Sequence, residues 1–272
     1  MNGSNVMNRI DRFALIVALL APASLVAQEE AGPIKDNSFL IEEAYNQERG
    51  VVQHIATFNR VRGGSWAFSF TQEWPVPDER HQLSFVLPME GVEGSGSGLG
   101  DVLLNYRRQL LSGGPVAVSP RLSILLPTGD EREGRGAGAA GVQLNLPVSI
   151  ELGSHFVTHA NAGFTRVPSA RSVGGDKAGI SAFNLGQSLI WLARPTFNVM
   201  LELAWARDEE VVGDDEVAHS TSLLLAPGVR SAINFPSGMQ IVPGFAVPIG
   251  IGPSDGERSV FFYLSVEHSF RR

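Results

Sequence analysis

One stretch of the sequence alternates aliphatic residues with other residues for about twelve positions, and this limits the possible folds most. In GVQLNLPVSIELG, Gly141 to Gly153, every second residue from Val142 to Leu152 is aliphatic. A half-buried strand of a soluble protein alternates over about five or six residues. A strand twice that length indicates that one of its faces meets apolar surroundings and the other meets polar surroundings. Pro147 interrupts the run and removes a backbone donor, so we expect a β-bulge there.

The same period of two recurs along most of the chain. In SWAFSFTQEW the residues Trp66, Phe68 and Phe70 share one face, and PTFNVMLELAW and VFFYLSVEHSF repeat the pattern. Counting such segments predicts about twelve strands, with the usual error at their ends. They lie near 51–61, 65–75, 80–89, 100–111, 115–127, 138–152, 155–166, 179–193, 196–207, 217–230, 238–250 and 258–270.

The connections between these segments sort by parity. Those after even-numbered strands are short, and those after odd-numbered strands are longer and more polar, except for RGG at 62–64. Short turns at one end and long loops at the other are typical of outer-membrane barrels. We therefore predict an all-β fold, a transmembrane antiparallel up-and-down β-barrel of about twelve strands. Closure leaves no unpaired edge, and an even strand count places both chain ends in the periplasm.

Composition favours the same interpretation over a secreted β-sandwich. Charged residues make up 18% of the chain, against about 25% in soluble domains. A sandwich would need shorter strands and a more charged outer face, whereas aromatic residues flank the predicted strands here. The formal charge of −7 argues against nucleic acid as a partner. These flanking aromatics are Trp66, Trp74, Tyr106, Trp191 and Trp205.

The N-terminal region predicts export. Residues 1–27 combine Arg9 and Arg12, a short apolar stretch and a small-residue end, which indicates a signal peptide cleaved after Ala23 or Ala27. Residues 28–50 form a periplasmic N-terminal segment, and residues 51–272 form the barrel.

Within the N-terminal segment, Ser38–Glu48 shows helical spacing and predicts a short helix. Two interpretations stay open: a disordered leader or helix on the periplasmic rim, or a plug that restricts the barrel mouth.

Several stretches resemble a known family. GLGDVLLNYRRQLL, PRLSILLPTGD, GAGAAGVQLNLPVSIELG and HFVTHANAGFT are similar to the transporters of the MetA phenol-degradation pathway. The resemblance covers most of the chain after residue 50 and is clearest over 98–165. It implies an outer-membrane barrel and a transport function. It implies no catalytic or binding residues. The chain departs from the usual barrel ending, because Phe270 is followed by two arginines.

Motifs that could indicate other chemistry are weak. GAGAAG, 136–141, precedes a strand rather than the helix that a dinucleotide site needs, so no cofactor is expected. On a strand, His155 and His159 would lie about 13 Å apart at about 3.3 Å per residue, too far to share one metal ion. Glu267 and Ser269 share a face and could join a histidine in a lipid hydrolase, but nothing marks a partner. We expect the acidic stretch 207–216 to be a solvated loop.

The leading function is passive uptake of small molecules, including hydrophobic or aromatic ones, through the bacterial outer membrane. The alternatives are a non-conducting structural or surface-interaction barrel and, less favoured, an outer-membrane lipid hydrolase. Expected partners are outer-membrane lipid, a small-molecule solute and the barrel-assembly machinery. Strand parity assigns nine residues to the lumen: Asp101, Asn105, Arg107, Gln143, Asn145, Glu151, Asn198, Glu202 and Glu267.

Overall fold

A computed structural model describes residue 34 and residues 37–92 and 96–270. The signal peptide expected at residues 1–27 lies outside the described part of the chain. None of the helical turns within these ranges is long and apolar enough to cross a membrane.

Twelve long strands form the wall of the barrel. Their bounds are β1 Val51–Val61, β2 Trp66–Pro75, β3 His81–Val92, β4 Val102–Arg108, β5 Arg121–Leu126, β6 Gly141–Leu152, β7 Phe156–Arg171, β8 Lys177–Arg194, β9 Phe197–Gly213, β10 Glu216–Ser231, β11 Gln240–Ala246 and β12 Ser259–Ser269. Four short segments pair beside them: Gly96–Leu99, Val116–Val118, Ile233–Asn234 and Ile249–Gly250.

The sheet closes on itself, which confirms the predicted antiparallel barrel of twelve strands. Each strand pairs with its neighbours in sequence, and β12 pairs with β1 in an unbroken register from Val51↔Ser269 to Val61↔Ser259. β11 bridges β10 and β12. Because every strand has two neighbours, the backbone groups of the wall find partners within the wall.

The alternation in β6 separates two faces of the wall. Leu144 on the outer face is 55% exposed, whereas Ser149 on the inner face is fully buried. Val142, Leu146 and Leu152 accompany Leu144 outside. The long run of alternating residues therefore separates an apolar exterior from a polar interior.

The bulge expected at Pro147 is not formed. β6 and β7 pair without a register shift from Val142↔Arg166 to Leu152↔Phe156. The irregularity lies on the other side of β6, where the neighbouring strand is interrupted between Val118 and Arg121. There Ser119 N donates to Pro147 O at 3.1 Å. In an antiparallel strand the N and O of one residue point to the same side. The missing donor of Pro147 thus faces the gap between two strand segments.

The two ends of the barrel differ. One end, here called the turn end, holds the start of β1 and the hairpins after β2, β4, β6, β8 and β10. The opposite end, here called the loop end, holds the other connections.

The acidic stretch 207–216 is at the loop end, and it is mostly strand rather than the expected loop, although most of its carboxylates are exposed. β9 runs to Gly213 and β10 starts at Glu216. Val211 is buried in a cluster with Val167, Ala170 and Ala178, which anchors the hairpin as strand.

The helix expected over Ser38–Glu48 is also absent from the described residues. Residues 37–50 form bends and irregular chain. The physical reason is that the wall supplies acceptors for their backbone N–H groups, so the segment does not need the internal hydrogen bonds of a helix.

Candidate functional site

Residues 37–50, here called the plug segment, lie inside the barrel. The segment is continuous with β1 at the turn end, and its first described residues contact strands on the far side of the lumen. Phe39 N and Leu40 N donate to the two carboxylate oxygens of Glu202 on β9, at 2.8 and 2.9 Å. One buried carboxylate thus fixes two successive peptide groups.

Further backbone donors of the plug segment are satisfied in the same way. Glu42 N donates to Asn161 Oδ1 at 2.7 Å, Ala44 N to Ser149 Oγ at 2.8 Å and Gln47 N to Gln82 Oε1 at 2.8 Å. Asn46 N donates to Gln109 Oε1 at 2.9 Å. Together with Glu202, these acceptors belong to five different regions of the wall, so the path of the segment is set by side chains rather than by strand pairing.

Glu42 is the charged centre of the plug segment. Its carboxylate accepts from Arg107 Nη1 at 3.1 Å, Arg121 Nε at 2.9 Å and Asn145 Nδ2 at 2.8 Å. Burial raises the pKa of this carboxyl, but the charges of Arg121 and Arg107 and the hydrogen bonds outweigh it, so the pKa lies below its ordinary value. The carboxylate is therefore held ionised by the wall.

Arg107 contacts the plug segment at more than one point. Its side chain is 2% exposed and donates to Glu43 O at 3.1 Å, to Asn46 Oδ1 at 3.0 Å and to Tyr45 O. A guanidinium has five N–H donors in a fixed fork, which suits this set of acceptors. Arg107 thereby joins residues 42 and 43 of the plug segment to residues 45 and 46.

Apolar contacts secure the part of the plug segment next to Glu202. The Phe39 ring packs against Phe261 and Tyr263, with centroid distances of 5.8 and 5.9 Å. The wall opposite is glycine: a Cβ on Gly228 or Gly244 would lie 2.4 Å from the Phe39 ring. These two positions need glycine because the plug lies directly against the strand backbone.

Two small cavities remain beside the plug segment. One, of about 230 Å³, lies between residues 37–42 and the wall formed by β1 to β5 and β12. Its lining combines Leu40, Ile55 and Leu103 with Asn105 and Arg121. The other, of about 170 Å³, is at the turn end and is lined by groups that include Tyr45, His159 and Arg230.

The structure brings three of the sequence-selected residues into contact with the plug segment and a fourth beside them. Arg107, Asn145 and Glu202 bind the plug segment directly, and Asn105 accepts from Arg121 Nη1 at 3.2 Å. Asn198 is buried beside Arg230.

The other four lie elsewhere. Asp101 precedes β4 at the loop end and accepts from Gly129 N and Ala137 N, which folds the loop 127–140. Gln143 donates to Thr165 Oγ1 at 3.0 Å. Glu151 is exposed near the turn end, and Glu267 is half-buried in β12 opposite Gln53.

Sequence reasoning missed several plug-binding residues. Asn161 and Arg121 follow the inward parity of their strands, so the alternation alone could have found them. Arg230 donates from β10 to Asn37 O and Ile34 O. Its partners are more than 190 positions away in sequence, and no local pattern signals such a contact.

Histidines do not form a metal cluster in the described ranges, where no three His, Asp or Glu side chains converge. His155 bonds Ser154 at the exposed turn, and His159 Nδ1 lies 2.7 Å from Ser149 Oγ. Ser149 also accepts from Ala44 N, and both Ser149 and His159 are buried beneath the plug segment. This pair supports the plug segment rather than presenting a nucleophile.

Comparison with known proteins rests on structure, since no family model and no curated protein matches the sequence. An outer-membrane channel from Pseudomonas putida F1 superposes with a TM-score of 0.64 over 84% of this chain and 98% of that chain, at 11% identity. The NanC porin superposes with a TM-score of 0.54 over 80% of this chain and 100% of that chain, at 7% identity. The chain therefore has the fold of an outer-membrane β-barrel.

Proposed function

We propose that the protein is an outer-membrane channel for the passive passage of small molecules, and that the plug segment restricts passage. The turn end faces the periplasm and the loop end the exterior, in the usual orientation of such barrels. The apolar exterior contacts outer-membrane lipid, and the barrel-assembly machinery inserts the chain.

One observation carries the proposal: the lumen is occupied by a segment that is not part of the wall. The plug segment contributes no strand to the sheet, and the wall pairs completely without it. Its polar contacts are hydrogen bonds to wall side chains and the ion pairs of Glu42, and its main apolar contact is the Phe39 ring. Such contacts can be exchanged for water, so the segment can leave or shift while the barrel stays closed.

The size and lining of the lumen favour small, partly apolar solutes. An apolar cavity of about 150 Å³ holds one benzene molecule, and the two cavities beside the plug measure about 170 and 230 Å³. Leu40, Ile55 and Leu103 offer apolar contacts on one side of the larger cavity. Single-ring compounds match this space, as the resemblance to the phenol-degradation transporters also implies.

Deletion of residues 31–47 tests the proposal in planar bilayers. We expect larger or more frequent conductance steps than in the full chain, because removing the segment opens the lumen. Heat-modifiability on gels serves as the control that the shortened barrel is folded. A folded, inserted deletion variant with the conductance of the full chain would contradict the plug.

Liposome swelling separates a channel from a non-conducting barrel. Vesicles that hold the full chain or the deletion variant are diluted into small neutral solutes, including single-ring ones. Swelling whose rate depends on solute size supports the channel. Absence of swelling with both proteins would favour the structural barrel, and release of fatty acid from the vesicles would favour the hydrolase.

A further inference from the structure

Three arginines gather at the loop end where β1, β2 and the start of β12 meet. Arg60, Arg62 and Arg258, here called the arginine rim, line a surface pocket of about 390 Å³ together with Gly63 and Gly64. All three side chains are exposed. Their backbones are fixed, since Arg62 N donates to Arg258 O at 2.8 Å and Arg258 forms a bridge with Ile249. The three side chains thus line one pocket and extend from an ordered part of the wall.

The arginine rim borders the apolar exterior. Arg60 pairs with Trp66 on β2 and with Val260 on β12, and all three share the outward parity of their strands. Phe58, two residues below Arg60 and thus about 7 Å along the strand, packs on Trp66 with ring centroids 6.0 Å apart. Aromatic residues of barrels concentrate at the membrane interfaces. The guanidinium groups therefore lie at headgroup depth, directly above an aromatic and aliphatic surface.

The arginine rim differs from Arg135 and Arg171 at the same end of the barrel, which have carboxylate neighbours. Arg135 and Arg171 lie within 4.0 Å of Glu133 and Glu131. Within the described residues, no carboxylate lies within 4.0 Å of Arg60, Arg62 or Arg258. The three guanidinium groups are therefore open to an anion from outside the chain, although the net charge of the chain is −7.

The turn between β1 and β2 explains how the cluster stays accessible. RGG at 62–64 is a short connection at an end where sequence predicted long loops. Gly63 and Gly64 have φ of 117° and 105°, values that favour glycine, and a side chain at Gly63 would meet only open space. The β1–β2 connection is therefore short, and no long loop from this hairpin covers the pocket.

We propose that the arginine rim is a binding site for the phosphate groups of an outer-leaflet glycolipid of the lipid A type. Guanidinium groups recognise phosphate through paired, charge-assisted hydrogen bonds, and the acyl chains would lie on Phe58, Val260 and Phe262. The inference rests on the proposed orientation, in which the loop end faces the outer leaflet. It does not depend on conductance through the lumen.

The test uses native mass spectrometry of the full chain in detergent micelles with added lipid A that carries both phosphates. We expect the wild-type chain to retain this lipid, and Arg60→Ser/Arg62→Ser/Arg258→Ser to retain it about tenfold less, because charge-assisted contacts to phosphate are lost. A matched variant, Arg80→Ser/Arg132→Ser/Arg171→Ser, removes the same charge elsewhere and should bind as the wild type does. Heat-modifiability shows that both variants fold.

Three further probes decide the identity of the ligand. Lipid A without phosphates should bind weakly to all variants, and inorganic phosphate should not displace the phosphorylated lipid. Phosphatidylglycerol should bind less well than lipid A and should not depend on the arginine rim. Equal retention of lipid A by the two triple variants, or a rim-dependent preference for phosphatidylglycerol, would overturn the proposal. Neither result would bear on conductance, which is measured separately on the same variants.

Discussion

Glu42 and Arg107 are 65 positions apart in sequence and meet inside the barrel, where Glu42 Oε1 lies 3.1 Å from Arg107 Nη1. Arg121 approaches the same carboxylate from the neighbouring strand at 2.9 Å. The ion pairs of Glu42 with Arg107 and Arg121, here called the latch, hold the plug segment in addition to the hydrogen bonds along its backbone. We therefore expect the occupancy of the lumen to depend on this one carboxylate.

Glu42→Gln should loosen the plug segment. The amide keeps the shape of the side chain but loses its charge, and hydrogen bonds to charged groups contribute about 1.5–3 kcal/mol. A loss of about 1–3 kcal/mol corresponds to a change of roughly 5- to 150-fold in the ratio of open to plugged barrels. Single-channel recording at neutral pH measures this ratio as open probability.

Glu48→Gln is the matched control for the latch. Glu48 belongs to the same segment but is exposed, and among the described contacts its backbone O accepts from Val51 N. The same change of charge at this position should leave the open probability as it is in the wild type. An equal increase in both variants would show that net charge, and not the latch, controls the lumen.

Acidification should release the latch. The plugged state holds the pKa of Glu42 below its ordinary value of 4.5, so it binds the ionised form more tightly than the free segment does. The resulting stabilisation is complete above the ordinary pKa and is lost as pH falls through the lowered pKa. Wild-type conductance should rise as the pH falls below the ordinary pKa of 4.5, whereas Glu42→Gln should show no such rise. A similar pH dependence in both proteins would assign the effect to other groups.

Gly244→Ala should displace the apolar anchor of the plug segment. The added methyl would lie 2.4 Å from Phe39 Cε1, and the other nearest atoms also belong to side chains of Phe39 and Tyr263. Overpacking of this kind costs about 1–3 kcal/mol. Hydrogen–deuterium exchange should speed up in residues 37–47 while the protection of the wall is preserved.

Two comparisons isolate this contact. Gly114→Ala, at a turn where a Cβ meets nothing within 4 Å, should leave exchange unchanged. In the Phe39→Ala background the ring is gone, so adding Gly244→Ala should produce little further change, as expected for two residues in contact. Additive effects of the two substitutions would mean that Gly244→Ala acts through the wall.

The wall was predictable because its information is local, whereas the plug depends on distant partners. The period of two in β6 identifies its inward residues from thirteen letters of sequence, and closure follows from the strand count. The helix prediction for Ser38–Glu48 failed because Glu202, Asn161 and Ser149 accept its backbone donors. These partners lie 105 to 163 positions away. Local propensity cannot report acceptors that only the closed barrel brings together.

The strand ends show the same limit. Sequence placed the boundary of a loop at Arg207 because charged residues follow, yet Val211 pairs with Val217 and continues the hairpin. Above the apolar belt both faces of a strand can be polar, so composition no longer distinguishes strand from loop. Pro147 was likewise recognisable in the sequence as a break in the backbone donors of β6. The interruption that accommodates it lies in the neighbouring strand, between Val118 and Arg121.

Leu144→Arg and Gln143→Arg test the two faces of the wall with the same new side chain. Leu144 is 55% exposed on the apolar exterior, and Gln143 is half-buried and donates to Thr165 on the inner face. Arginine on the lipid face at mid-depth costs about 2–4 kcal/mol, so Leu144→Arg should reduce the heat-modifiable, folded fraction on gels. Gln143→Arg should assemble at close to the wild-type level, because the lumen can hydrate a guanidinium. Equal folded fractions for the two variants would contradict the assignment of the β6 exterior to the lipid.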